Sequence, residues 1–386
     1  MWLLYSAFGM VSRAISPLVT PILNDLSISY SQMGFILGSW QLTYISVALV
    51  AGAIIDRWGV RKSIFVGAAI IGFSAVLRYF ATGFLTLMVF VALFGVGGPM
   101  ISIGGPKAIS QWFNDRNRAT AIGIYTAGNW IGGLLALALT NSLVMPYLEN
   151  SWRATFVCYG LLTFLFCAFW GLMARESRAA QPVGSIGIFE VFQILIGVRN
   201  VQILLLMALL SFAIGHGFAA WLPKILENSG ISPSNAGFAA AVPIASGVPA
   251  ILLIPRLIPP HLRGRFIAAG ALITATGLLI VVNSAGYLLL MGLVIIGFIS
   301  SPFMPMMLLI LMDSPEVGSR YMGAAGGMFF CVAEIGGFAG PLIMGVLVDA
   351  TGSFLIGTLF LATLCVAIAV LTVFLKPLSQ VSSPTH

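Results

Sequence analysis

Gly52-Ala53-Ile54-Ile55-Asp56-Arg57-Trp58-Gly59-Val60-Arg61-Lys62 places Asp56, Arg57, Arg61 and Lys62 between two long apolar runs that carry almost no charge. A charge at the centre of a bilayer costs at least ~2.5–3.5 kcal/mol, so the cluster belongs at a membrane–water boundary and its flanks belong in lipid. Composition points the same way. The 386 residues are 59% hydrophobic and 8% charged, with a mean hydropathy of +1.05, whereas soluble domains carry about 25% charged residues. Backbone groups in lipid must pair internally, which leaves only helices or a closed barrel. Barrel strands alternate in polarity and these runs do not, so the expectation is an all-α, multi-pass membrane protein.

Working outward from that loop, apolar segments fall at about 1–23, 30–55, 62–82, 84–113, 118–142, 152–174, 199–222, 232–257, 265–283, 286–311, 319–347 and 353–376, each of roughly spanning length. Thirteen of the 18 Lys and Arg lie in connections on one side: Arg57, Arg61, Lys62, Arg116, Arg118, Arg175, Arg178, Arg199, Arg256, Arg263, Arg265, Arg320 and Lys376. Only Arg153 and Lys224 lie in opposite loops. Cytoplasmic loops collect Lys and Arg, so both termini are expected in the cytoplasm. The connection over 175–198 separates an N-terminal six-helix bundle (1–174) from a C-terminal one (199–376), followed by a cytoplasmic tail (377–386). Its stretch from Ser185 to Gly197 suits an interfacial helix.

The halves echo each other. Ile131-Gly132-Gly133 follows Arg118 in the fifth segment, and Ile335-Gly336-Gly337 follows Arg320 in the eleventh. The opening loop has a worn counterpart, Arg256 through His261-Leu262-Arg263-Gly264-Arg265, without the acid. Such duplication marks transporters with a midplane site at the repeat interface. The net charge of +7 sits in loops, where it orients helices and does not signal nucleic acid. The four cysteines have no metal-ligand or disulfide spacing, and the first segment is too long for a cleavable leader. No phosphate loop, metal cluster or Ser/His/Asp spacing is present, so neither an enzyme, a cofactor nor an ATP-driven pump is expected.

The pattern Gly-x-x-x-Asp-Arg-x-Gly-x-Arg-Lys, carried by Gly52, Asp56, Arg57, Gly59, Arg61 and Lys62, resembles the signature loop of the major facilitator superfamily. The resemblance implies twelve helices in two pseudo-symmetric six-helix bundles that work by alternating access, usually as monomers in the cell membrane. It makes this loop a gate in which Asp56 and Arg57 bond to neighbouring helix ends in one state and release in the other, and in which Gly52 permits close helix approach. A plain topology anchor is the alternative. The fifth segment is similar to the antiporter pattern Gly-x-x-x-x-Gly-Pro-x-x-Gly-Gly, with Gly123, Gly128, Gly132 and Gly133 in place and Asn129 where the proline belongs. Lys107 through Phe113 and Gly128 through Gly132 look like the haem and choline branch related to the feline leukaemia virus receptor; cyanate-permease-like members are another neighbour.

Charges inside segments need reasons. Arg13 lies mid-segment on a face with Ser6, Gly9, Ser16 and Thr20, and Pro17 withholds the hydrogen bond its carbonyl would receive. A forked guanidinium suits a carboxylate guest, so Arg13 is expected to bind an organic anion; a fixed pair with an acid is the alternative. Glu334, on a small-residue face with Gly323, Gly327, Cys331 and Gly337, is a proton carrier or the permanent partner of Arg13 or Lys107. His216 is a proton relay or a satisfied buried ring. Lys107 either meets the anion on its way or reaches for the interface. Arg78 is expected to snorkel at the outer end of its helix. Gln41, Tyr44, Tyr125 and Asn129 supply neutral hydrogen bonds, and Trp40 and Trp130 aromatic walls. Pro302 and Pro305, with Pro243 and Pro249, should break the tenth and eighth helices.

The expected function is proton-coupled secondary transport of a small organic anion. Rival readings are transport of a choline-like amine, with Trp40, Tyr44 and Trp130 as an aromatic cage, transport of haem, a facilitative uniporter, and a non-transporting sensor.

Overall fold

The computed structural model describes residues 1–113, 115–175, 195–314 and 317–375. Among the described residues twelve helices are long and apolar enough to cross a membrane: α1 (Trp2–Leu26), α2 (Tyr30–Trp58), α3 (Val60–Phe80), α4 (Phe84–Trp112), α5 (Thr120–Tyr147), α6 (Trp152–Met173), α7 (Arg199–Asn228), α8 (Pro233–Leu257), α9 (Pro260–Asn283), α10 (Gly286–Met312), α11 (Tyr321–Thr351) and α12 (Phe354–Val373). The helix expected over 185–197 lies largely outside the described residues.

Local chemistry sets the breaks. Ser29 and Gln32 form a capping box that starts α2. Gly59 ends it at φ +84°, a left-handed backbone that glycine adopts at little cost, and this turns the chain at once into α3. Near Pro17 α1 tightens into a short 3-10 turn, Ser16–Leu18, just after Arg13. The tenth helix breaks at Ser301-Pro302 as expected. The eighth does not: α8 runs through Pro243 and Pro249. Packing explains the difference, because α10 presses Gly297 onto the Pro243 carbonyl and the Ser246 hydroxyl and holds that turn.

Each half is locked by the glycines that the sequence repeats. In the first bundle α5 lays Gly128 and Gly132 on the backbone of Trp2 and Ser6 in α1, and Gly9 admits Asn129. In the second, α11 lays Gly336 and Gly340 on Leu209 and Ala213 of α7. The match fixes equivalent positions. Seven residues beyond Ser6 stands Arg13, and seven beyond Leu209 stands His216. Two before Gly132 stands Trp130, and two before Gly336 stands Glu334.

Among the described residues, close backbone contact between the bundles gathers at one end. Gly34 and Gly38 of α2 abut Pro341 and Phe338 of α11, and Gly345 abuts Tyr30. Asp349 accepts hydrogen bonds from the backbone N–H groups of Tyr30 (2.9 Å) and Ser31 (2.7 Å). Thr20 of α1 bonds Glu227 of α7, and Asn141 of α5 reaches the carbonyls of Pro17 (3.0 Å) and Pro233 (3.4 Å). Toward the loop around Asp56 the bundles part, and Gly52, Gly123, Gly323 and Gly327 have open space where a side chain would begin. The close helix approach expected of Gly52 is therefore absent in this conformation, and the small-residue face at Gly323 and Gly327 is open too, because the halves splay apart there.

Candidate functional site

The gap between the bundles opens into a cavity of about 620 Å³ lined by residues from the middle of the spanning helices. Arg13, Gln41, Tyr44, Asn129, His216 and Glu334, scattered through the sequence, all line it, with Trp40 and Trp130 in its walls. The 3-10 turn of α1 follows Arg13 directly. Its side-chain stem rests against Gly133 of α5, whose missing Cβ leaves the room.

Arg13 has no hydrogen bond and no ion pair within 4.0 Å among the described residues. Glu334 faces it from the other bundle, close enough for their charges to interact without joining. Glu334 is 9% exposed, and its Oε2 is buried without a hydrogen-bond partner. The apex is closed by Gln41, whose amide nitrogen donates to the Gly337 carbonyl (3.3 Å) and to Nδ1 of His216 (3.2 Å). The carbonyl partner fixes that amide's orientation, so Nδ1 accepts and the ring carries its proton on Nε2. Tyr44 is held by Ser102 at 2.8 Å, and Trp40 stands edge-on to Tyr44 with ring centroids 6.0 Å apart. The arrangement is a cation and a facing acid, unpaired, ringed by neutral donors and aromatic faces.

Other expected residues lie elsewhere. Lys107 is outside the cavity and pairs with Asp56, tying α4 to α2 within one bundle. Arg61 donates to the Gly171 carbonyl (2.5 Å) at the end of α6, while Arg57 and Lys62 are exposed. Tyr125 stands behind the wall, its hydroxyl donating to the Ile101 carbonyl at 2.7 Å and its ring stacked 4.4 Å from Tyr5. The polar stripe of α1 divides three ways: Ser6 and Gly9 pack on α5, Arg13 and Ser16 meet the cavity, and Thr20 joins the closed end of the interface through Glu227. Arg78 does not snorkel. It is 1% exposed, with its guanidinium 4.7 Å from the Phe156 ring centroid and 3.3 Å from Ser74. The 3-10 turn Arg78–Phe80 that ends α3 folds it inward against α6, where an aromatic face partly offsets the lost water.

Tyr5, Phe8, Ser102 and Phe212 also line the cavity and were not singled out from sequence. Neutral side chains on apolar helices carry no charge penalty to betray them. Only the half-to-half equivalence offered a signal, since Phe212 stands where Gly9 stands in the first half.

Comparison with known proteins agrees with this architecture. A family model described as Major Facilitator Superfamily matches residues 1–341. The chain is 23% identical over 375 residues to the hexuronate transporter of Bacillus subtilis (strain 168), spanning 91% of this chain and 87% of that protein. It is 24% identical over 366 residues to the D-galactonate transporter of Escherichia coli O6:H1, spanning 86% and 84%. Among solved structures, the D-xylose-proton symporter superposes with a TM-score of 0.80 at 14% identity, covering 98% of this chain and 97% of that one; this likeness concerns the fold alone.

Proposed function

The chain belongs to the major facilitator superfamily, a family of membrane transporters and not of enzymes, and on that premise we propose that it moves a small hydroxylated organic anion by alternating access, coupled to protons. The observation that carries the reading is Arg13, a cation without a protein partner at the apex of a cavity shared by both bundles. A charge that costs at least ~2.5–3.5 kcal/mol in lipid persists where water and a counter-charged guest reach it. A guanidinium takes a carboxylate through two parallel hydrogen bonds, and Ser12, Gln41, Tyr44 and Asn129 are within the same cavity to read hydroxyl groups. The relatives named for hexuronate and galactonate, both sugar acids, support this class. The aromatic walls alone would suit an amine, but Arg13 in the same space opposes a bare cation.

Glu334 is the proton carrier in this reading, with the Nε2–H of His216 a neutral donor beside it. The moving bodies are residues 1–174 and 199–376, joined by the 175–198 linker. The positive-inside rule puts the open side, with the Asp56 loop and both termini, in the cytoplasm of a cell whose plasma membrane holds the protein as a monomer. The conformation is then inward-facing, and Gly52, Asp56, Arg57, Gly59, Arg61 and Lys62 form the gate at its mouth. Here Asp56 bonds Lys107 of its own bundle; in the opposite state its bonds would change partner.

The test is counterflow of radiolabelled D-galactonate in proteoliposomes. Wild-type protein should exchange it and Arg13→Gln should not, at equal reconstituted amounts. Equal exchange by both would end the assignment of Arg13. For the proton, Glu334→Gln should retain counterflow and lose accumulation driven by a pH gradient.

A further inference from the structure

The charge inventory of the cavity limits the guest beyond its being an anion. The described lining contains one Arg, one Glu and one His, with no Lys or Asp. The His216 ring accepts at Nδ1 from Gln41, so it contributes a donor and no charge. One fixed cation therefore faces one acid across the space that the guest must fill. Near Glu334 stand Arg13 and Tyr5 from α1 and Tyr44 and Gln41 from α2, with Cys331 on its own helix, and His216 of α7 lies one hydrogen bond further, on the Gln41 amide. Among these only Arg13 is a permanent cation.

A carboxylate on Arg13 uses up that single positive charge. If Glu334 is ionised at the same time, one negative charge is left over in a confined space walled largely by apolar groups, where unpaired charge is strongly disfavoured. If Glu334 holds a proton, the site is neutral, and its Oε2, which lacks a protein partner, becomes a donor toward the guest or Gln41. A guest with two carboxylates leaves a surplus negative charge even then. We propose that the cavity selects monoanions and carries each with one proton on Glu334, so that the coupled step moves no net charge and dianions of the same skeleton are rejected. The inference rests on the reading of Arg13 as the anion ligand.

Galactonate and galactarate test it, because they share a six-carbon hydroxylated chain and differ in carrying one carboxylate or two. In proteoliposomes, unlabelled galactonate should compete for galactonate counterflow at least about tenfold better than galactarate does. With valinomycin and potassium setting the membrane potential, uptake driven by a pH gradient should not change with that potential. Glu334→Gln should keep the preference for the monoanion, which also shows that the variant is folded, and lose the response to pH. Equal competition by galactarate, or uptake that rises with membrane potential, overturns the monoanion and neutrality claims while leaving Arg13 as an anion ligand. If neither acid exchanges, both this inference and the anion reading fall.

Discussion

The two ends of the interface between the bundles use the same kind of residue differently. At the closed end Gly34, Gly38 and Gly345 bring α2 and α11 into backbone contact, and Asp349 caps the N-terminus of α2 from across the interface. At the open end Gly52, Gly123, Gly323 and Gly327 meet nothing. Glycine inside a helix costs ~1 kcal/mol relative to alanine, so an idle helical glycine needs a use in some other state. The glycines at the closed end serve the conformation seen here. Under the proposed alternating access, those at the open end would serve the state in which the halves close over the Asp56 loop.

Substitutions that fill each end separate these roles. The largest effect is expected from Gly34→Leu, whose side chain would run into the Pro341 carbonyl and come within 3.0 Å of the Leu342 backbone. The outer seal should not close, and transport should fall at least about 100-fold, since overpacking costs of 1–3 kcal/mol would be compounded by backbone that cannot yield. Labelling of a cysteine at Tyr30 by an impermeant reagent should rise in the same variant. At the other end, Gly323→Leu meets open space, so galactonate binding should stay within about twofold while turnover falls about tenfold, as one state is kept and its alternative blocked. If Gly323→Leu transports normally, the inner glycines are not closure sites.

Smaller effects should come from the polar contacts. Asp349→Ala removes two hydrogen bonds to a carboxylate that is largely in water, worth about 1 kcal/mol after screening, and should shift the population toward a state open at this end by about fivefold. Fluorescence or electron–electron distance measurements across the outer mouth would read that shift. Lys107→Ala breaks a pair whose side chains are 31% and 67% exposed, so transport should change by about twofold, and less at high salt. An effect larger than that of Asp349→Ala would mean that the Asp56 loop controls the rate even while the inner end is open.

The twelve helices were legible because loops concentrate charge and spans exclude it, and the observed ends stay close to those expected. The repeat was legible in Ile131-Gly132-Gly133 and Ile335-Gly336-Gly337, whose glycines do lie on the partner helices α1 and α7. Arg13 and Glu334 stood out because charge within lipid is costly, and they do share the cavity. Lys107 was harder to place for the same reason, since its explanation is Asp56, 51 residues away, and that pairing exists only once α2 and α4 pack. The position of Arg78 depended on the 3-10 turn that ends α3, which hydropathy does not reveal. Proline content foretold the break in α10 and misled for α8, where the deciding factor is the contact of Gly297 with the Pro243 carbonyl.

The most direct measurement is equilibrium binding of D-galactonate to the purified protein by calorimetry, comparing wild type with Arg13→Gln. With the guanidinium as the anion ligand, binding should weaken by at least about 100-fold, since a charged, hydrogen-bonded partner is left unmatched. Affinity within about twofold of wild type would contradict it, and would move the anion to some other part of the cavity.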